Sequence, residues 1–161
     1  MNPMEGGWVI LITFVFAMVL SVVHLPMWMP EWLGWLRPEW IVLVLFFWVV
    51  EHPDRFGMIL AWVLGLFLDV LLSEPLGVNG LCLTVITFFT WTFYERLRMY
   101  SVIQQAGVVF FLAIGLEFTK GVLVQDAALT YKLILPAVTT SMVWPPLAMV
   151  LRWISRNSPL R

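Results

Sequence analysis

Charged residues are scarce in this sequence: they account for 12% of its 161 residues, whereas 61% are hydrophobic. A soluble globular domain carries about a quarter charged residues, so the composition excludes that class and predicts an integral membrane protein. Cysteine is nearly absent too, because Cys82 stands alone and no internal disulfide can form. The formal net charge of -1 provides no basic field, so we do not expect nucleic acid as a partner.

The sequence consists instead of apolar runs separated by short polar segments. A spanning helix needs about 20 residues, and the runs occupy nearly the whole chain, so we expect a single membrane domain over residues 1–161. We predict an all-α bundle of six transmembrane helices, with five as the alternative because the second run is short. The predicted helices cover about residues 8–28, 38–50, 56–73, 76–94, 102–124 and 131–154.

Two of these helices carry unusual features. The second is too short for an ordinary crossing, so it is either a thin helix with snorkelling ends or a helix enclosed by protein on both sides. The sixth contains Pro136, Pro145 and Pro146, and each proline removes a backbone donor. We therefore expect the sixth helix to be bent or broken, with the hydroxyls of residues 139–141 bonding the freed carbonyls.

The distribution of Lys and Arg between the loops predicts the orientation of the chain. With the amino terminus in the cytoplasm, six arginines fall inside and Arg37 and Lys132 fall outside, which agrees with the positive-inside rule; Lys120 is not counted because it lies within the fifth predicted helix. Both termini are therefore expected in the cytoplasm. Residues 1–7 contain no Lys or Arg, so a removable signal peptide is not expected. The six inner arginines are Arg55, Arg96, Arg98, Arg152, Arg156 and Arg161.

A few ionisable residues interrupt the apolar pattern at one common depth, the predicted outer side. Asp69, Glu117 and Lys120 lie inside predicted helices, and Arg37 opens the second one. A charge facing lipid costs about 2.5 to 3.5 kcal/mol on insertion scales, so these four side chains are expected to meet inside the bundle. Such a cluster either ties helices together or forms a ligand or proton site. Two alternatives remain open: Lys120 also suits a local pair with Glu117, and His24 is typical of an interfacial anchor.

Small residues recur at every fourth position of the third predicted helix. They let helix backbones approach closely, which is how helices pack in lipid. The fifth predicted helix has a similar pattern, so we hypothesise that these two helices pack through their small faces. The residues are Gly57, Ala61, Gly65 and Asp69 in the third helix, and Ala113, Glu117 and Gly121 in the fifth.

Patterns that indicate catalysis are missing from the sequence. An aspartyl protease would need a second aspartate, and Asp69 is the only one inside a predicted helix. No serine lies in a Gly-x-Ser-x-Gly context, and no Gly-rich phosphate loop occurs. His24 and His52 are predicted on opposite sides of the membrane, and Cys82 has no nearby partner for a metal. We therefore predict a protein without enzymatic activity, metal or cofactor.

The region from Arg37 to Leu81 contains several short motifs in a characteristic order. They are Arg-Pro-x-Trp at Arg37, Pro38 and Trp40; the aromatic pair Phe47 and Trp48; Pro53; the glycines Gly57 and Gly65; Asp69; and the Leu-Gly pair Leu76 and Gly77. Each motif is common, but this order and spacing resemble the MreD family of rod shape-determining proteins. Phe47 departs from that family's pattern, in which tyrosine is expected at this position.

The resemblance implies a role in the bacterial cell-elongation machinery, which builds side-wall peptidoglycan, and a location in the inner membrane. The implied partner is MreC, in a complex with MreB, RodA and a penicillin-binding transpeptidase. The family also looks similar in fold to the substrate-binding subunits of energy-coupling-factor transporters, so a small-molecule-binding transport subunit is the alternative. Three tryptophans before the second helix, Trp28, Trp32 and Trp35, are candidates for partner contact or for interfacial anchoring.

Overall fold

The fold was analysed in a computed structural model, which describes residues 7–23, 36–124 and 129–157, without the side chains of residues 123, 124 and 129–133. Predictions for His24, Trp28, Trp32 and Trp35 lie outside the described residues. Within those ranges the chain forms seven α-helices and no strands, so the all-α prediction is confirmed. The helices are α1 (Gly7–Val22), α2 (Trp40–Glu51), α3 (Met58–Leu72), α4 (Val78–Thr92), α5 (Tyr94–Met99), α6 (Val102–Val124) and α7 (Leu129–Asn157).

Each predicted apolar segment overlaps one long helix, with ends that differ by a few residues, and the short helix α5 is the addition. Among the helices that the structure describes, two are long and apolar enough to cross a membrane, over Val102–Val122 in α6 and Ile134–Asn157 in α7. The apolar helices α1, α2, α3 and α4 are shorter. The arrangement of six crossings therefore stays a prediction.

Helix α2 forms the centre of the bundle. All ten residues from Ile41 to Val50 are buried, and α2 packs against α1, α4, α5, α6 and α7. A helix that is apolar on every side is stable when protein surrounds it. Its 12 residues span about 18 Å, well short of the ~30 Å hydrocarbon core. Of the two readings of this segment, the structure shows the one in which protein encloses the helix.

The outer helices expose large apolar side chains. Ile59 on α3 and Ile103 on α6 are each 80% exposed, and Phe111 on α6 is 73% exposed. Soluble proteins rarely present apolar surface on this scale, whereas lipid chains would solvate it at no cost. The apolar exterior is therefore the surface expected of a protein embedded in a membrane.

The small residues of α3 face α4. Ala61, Gly65 and Asp69 are buried, and a Cβ atom on Gly65 would overlap the backbone of Gly80. Helix α3 packs most extensively against α4, and α6 against α7, while α3 and α6 are not in extensive contact. The hypothesis that α3 and α6 pack through their small faces is therefore wrong. Gly57 is exposed and lies outside the α3–α4 contact.

The sixth helix was expected to be bent or broken; α7 is continuous through its three prolines, so it is not broken. Packing along α6 supports it, and local hydroxyls add hydrogen bonds to its backbone. Thr140 Oγ1 donates to the carbonyl oxygen of Pro136 at 2.6 Å, and Ser141 Oγ donates to that of Val138 at 2.8 Å. Thr139 Oγ1 lies 2.9 Å from the same Pro136 oxygen. The carbonyls that the prolines leave without a backbone donor are those of Lys132, Ser141 and Met142, four residues before each proline. The hydroxyls of residues 139–141 bond other carbonyls, so the expectation that they would bond the freed ones is wrong.

Candidate functional site

Side chains from four helices and from the segments before α2 and after α3 converge at one end of the bundle, and six of the ten are polar. They enclose a cavity of about 260 Å³, which we call the polar cavity. Because α1, α3 and α6 end here and α2 and α7 begin here, residues far apart in the sequence become neighbours. The cavity is lined by Ser21, Arg37, Pro38, Glu39, Leu68, Leu72, Glu74, Glu117, Lys120 and Pro136.

Lys120 forms an ion pair across the polar cavity. Its Nζ donates to Oε1 of Glu39 at 3.4 Å, and the two side chains are 14% and 19% exposed. The Glu117 and Glu74 carboxylates lie near the same ammonium group, and the Glu117 carboxyl is beside that of Glu39. The local pair of Lys120 with Glu117 is thus not the contact that forms. Lys120 instead offsets the charge of Glu39, in a cavity that Glu117, Glu74 and Arg37 also line.

Glu39 also connects two helices through its backbone. Its amide N–H donates to Oγ1 of Thr140 at 2.9 Å, which joins the start of α2 to α7. The first N–H groups of a helix have no partner inside the helix, and here a hydroxyl from another helix supplies one. Sequence reasoning missed Glu39 because it lies in the first turn of the predicted second helix, where a glutamate is an ordinary residue.

Arg37 closes the end of α1. Its Nη2 donates to the carbonyl oxygens of Ser21 at 2.6 Å and Val23 at 2.9 Å. The last carbonyls of a helix lack intrahelical partners and carry partial negative charge, so a guanidinium is well suited to bind them. Within the described ranges Arg37 therefore pairs with backbone oxygens, and not with the carboxylates that the sequence suggested.

Asp69 is fully buried but does not line the polar cavity. Its Oδ2 accepts from the Gly77 amide at 2.7 Å, and its Oδ1 accepts from the Asn79 amide at 3.0 Å and from Asn79 Nδ2 at 2.8 Å. A side chain of α3 thereby caps the first turn of α4, where the helix dipole favours a negative charge. Asn79 Nδ2 also donates to Glu74 Oε2 at 2.5 Å, which links Asp69 to the rim of the cavity.

The other motif residues shape the turns and the core. Gly77 has a φ of +98°, a conformation that glycine adopts without strain, and it places the α4 amides against Asp69. Leu76 beside it is 74% exposed. Trp48 is fully buried, and its Nε1 donates to Thr13 Oγ1 at 2.9 Å, which joins α2 to α1. Pro38 and Trp40 lie at the start of α2, and Pro53 lies in the turn that follows it.

The arrangement favours structural over catalytic roles for these groups. Each buried carboxylate has a cation or N–H donor as a neighbour, and the contacts join separate helices. In the part of the chain that the structure describes, no three His, Cys, Asp or Glu side chains are placed to hold a metal ion. Charged groups paired inside an apolar bundle, and an exterior of exposed apolar side chains, define the class: a helical integral membrane protein.

Comparisons with known proteins identify the family. A family model described as rod shape-determining protein MreD matches residues 4–154. The rod shape-determining protein MreD of Haemophilus influenzae is 31% identical over 148 residues, which cover 90% of this chain and 91% of that protein. The chain therefore belongs to the MreD family of bacterial membrane proteins and has a rod-shape-determining role. The resemblance inferred from residues 37–81 is confirmed.

No solved structure matches the chain in these comparisons. The likeness in fold to substrate-binding subunits of energy-coupling-factor transporters therefore has no support beyond the resemblance in sequence pattern.

Proposed function

We propose that this protein is a non-enzymatic scaffold of the cell-elongation machinery, inserted in the inner membrane by several crossings with both termini in the cytoplasm. It binds MreC, within a complex that contains MreB, RodA and a penicillin-binding transpeptidase, and so supports side-wall peptidoglycan synthesis. The observation that carries the proposal is the family match, which extends over residues 4–154 and thus over nearly the whole bundle.

The contacts of the charged side chains inside the bundle support the proposal that the protein is a scaffold. Lys120 and Glu39 are paired with each other, Asp69 caps α4, and Arg37 caps α1. A catalytic group must reach a substrate, and these groups already bond their own protein. Polar contacts that hold the helices in place give the protein a rigid surface. Little conformational entropy is therefore lost when a partner binds that surface.

The exterior supports partner binding within the membrane. Large apolar side chains on α1, α3, α6 and α7 are exposed, and a single-span partner helix can pack against such surfaces. We propose that MreC binds through its membrane helix or juxtamembrane segment, next to the segment that carries Trp28, Trp32 and Trp35. Tryptophan is enriched among the residues that dominate binding energy at interfaces.

Co-purification from bacterial membranes tests this proposal. The tagged full chain is expressed in a rod-shaped bacterium and solubilised in mild detergent, and MreC in the eluate is quantified. We expect MreC to be recovered with the wild-type chain and to be lost when Trp28, Trp32 and Trp35 are all replaced by alanine.

A matched control replaces three exposed tryptophans from the predicted inner side, Trp8, Trp91 and Trp153, with alanine. This variant should retain MreC. Equal recovery of MreC by both triple variants would refute the proposed contact through Trp28, Trp32 and Trp35. Absence of MreC from the wild-type eluate would contradict the proposal that the protein is a scaffold. Saturable vitamin binding together with an ATPase module would support a transport subunit instead.

A further inference from the structure

A long apolar groove runs between α4 and α6 on the outside of the bundle. Two adjoining cavities of about 420 and 340 Å³ form it, and they share the side chains of Phe89, Val108 and Leu112. We call this continuous surface the α4/α6 groove. It exists because α4 and α6 pack loosely on each other, whereas α4 packs closely on α3 and α6 on α7.

The length of the groove fits one leaflet of a bilayer. At a rise of ~1.5 Å per residue its lining covers about 16 Å on α6, from Val108 to Thr119, and about 18 Å along α4, from Leu81 to Phe93. Half of the hydrocarbon core of a membrane is ~15 Å thick, whereas a spanning partner helix needs an apolar surface of ~30 Å. The groove is thus long enough for an acyl chain and too short for a spanning helix.

One end of the groove is cationic. Arg96 and Tyr100 line that end, and Arg96 is exposed. Among the described residues no carboxylate lies within salt-bridge distance of Arg96. The neighbouring Glu95 accepts a hydrogen bond from the Tyr94 hydroxyl at 3.3 Å. An occupant therefore needs an apolar tail and an anionic group at one end.

We propose that the α4/α6 groove binds an anionic phospholipid, with an acyl chain between α4 and α6 and the phosphate at Arg96. Basic sites at the ends of gaps between membrane helices are recognised locations for anionic head groups. The groove is separate from the polar cavity, and this inference does not depend on the binding of MreC.

Gly115 makes a specific test possible. It lines the groove, and a Cβ atom added to it would meet nothing within 4 Å, so Gly115→Leu fills the groove without a clash inside the protein. Gly107 on the same helix also has open space around it but does not line the groove, so Gly107→Leu is the matched control. Arg96→Gln removes the cation, and Arg98→Gln is its control at an exposed arginine outside the groove.

The measurement is native mass spectrometry of the full chain released from nanodiscs that contain phosphatidylglycerol as the minor lipid and phosphatidylcholine as the major one. We expect the wild-type chain, Gly107→Leu and Arg98→Gln to retain phosphatidylglycerol preferentially. Gly115→Leu should lose the retained lipid with an unchanged thermal midpoint. Arg96→Gln should lower the preference for phosphatidylglycerol about tenfold, the effect of losing one charge-assisted hydrogen bond.

Three results would overturn the inference. The first is a wild-type chain without preference for phosphatidylglycerol. The second is an Arg96→Gln variant with the wild-type preference, which remains decisive even if Gly115→Leu does not fold. The third is a Gly115→Leu variant that keeps its lipid but loses MreC on co-purification, since the groove would then be a protein contact.

Discussion

Nζ of Lys120 lies 3.4 Å from Oε1 of Glu39, and this pair joins the C-terminal half of α6 to the start of α2. The two residues are 81 positions apart in the sequence. Glu117 and Glu74 line the same cavity, whose cations are Lys120 and Arg37, and of the two cations Lys120 is the one that pairs with a carboxylate. The pair therefore holds the central helix in place and balances the charge of the polar cavity.

Lys120→Met should destabilise the protein more than Glu39→Gln. The first change leaves Glu39 without its ion-pair partner and next to Glu117, whereas the second leaves Lys120 close to Glu117. Removal of one partner from a buried ion pair costs about 3 kcal/mol or more. Thermal unfolding in detergent, followed by size-exclusion chromatography, measures the difference. Lys120→Arg keeps the charge and should lose much less stability, and a Lys120→Met variant as stable as wild type would refute the dependence.

Gly65→Leu should prevent folding in the membrane, whereas Leu66→Ala should be tolerated. A Cβ atom at Gly65 would overlap the backbone of Gly80 and lie 2.6 Å from the carbonyl carbon of Asn79, so α3 and α4 must separate. We expect a loss of about 3 kcal/mol or more, at the upper end of overpacking effects. The yield of folded protein from membranes is the readout.

Gly57→Leu is the control for this prediction. Gly57 belongs to the same series of small residues, but a Cβ atom there meets nothing within 4 Å. The variant should therefore express like wild type. If Gly65→Leu and Gly57→Leu gave equal yields, the close contact of α3 with α4 would not be needed for folding.

Asp69→Asn should lower stability by about 2 kcal/mol. An amide offers one acceptor oxygen in place of two, and its NH₂ group would face the N–H of Gly77 or Asn79. Hydrogen exchange at the amides of Gly77 and Asn79 should become faster, because their acceptor is weakened. Asp54→Asn changes an exposed aspartate and should have no effect. Unchanged exchange in Asp69→Asn would show that the carboxylate does not cap α4.

Thr13→Val should cost about 1 to 2 kcal/mol, although the two side chains have nearly the same shape. The buried indole N–H of Trp48 would lose its acceptor, Thr13 Oγ1. Thr92→Val is the control, because the Thr92 hydroxyl bonds only its own helix at an exposed position. The thermal midpoints of unfolding of the two variants are compared, and that of Thr13→Val should be lower. Equal midpoints would mean that the hydrogen bond of Trp48 contributes nothing to the α1–α2 contact.

Much of the fold could be predicted from the sequence, because apolar runs and punctuating prolines locate helices without any knowledge of packing. The run from Ile41 to Val50 has no polar face, and that pattern alone indicated enclosure by protein as one of two readings. The partner of the small face of α3 could not be predicted, because Gly65 permits close approach to any helix. The structure gives Gly80 on α4, which no periodicity in the third helix specifies.

Only some residues of the polar cavity could be predicted from the sequence. Glu117 and Lys120 lie inside a predicted transmembrane helix, where charged residues are unusual, and this position predicted that they face inward. Both line the polar cavity. Glu39 and Thr140 could not be found in this way, because a glutamate in the first turn of a predicted helix and a threonine among prolines are ordinary residues in those contexts. Their roles follow from the return of α7 to the start of α2, which is a property of the tertiary fold.

The central claim, that this chain is a scaffold for MreC, is tested most directly by photocrosslinking in living cells. A photoreactive amino acid is placed at one exposed position on each face: Ile12 on α1, Ile59 on α3, Phe111 on α6 and Met142 on α7. We predict that at least one face gives an adduct with MreC while the others do not. Folded protein that forms no MreC adduct from any of the four positions, in cells that remain rod-shaped, would contradict the account.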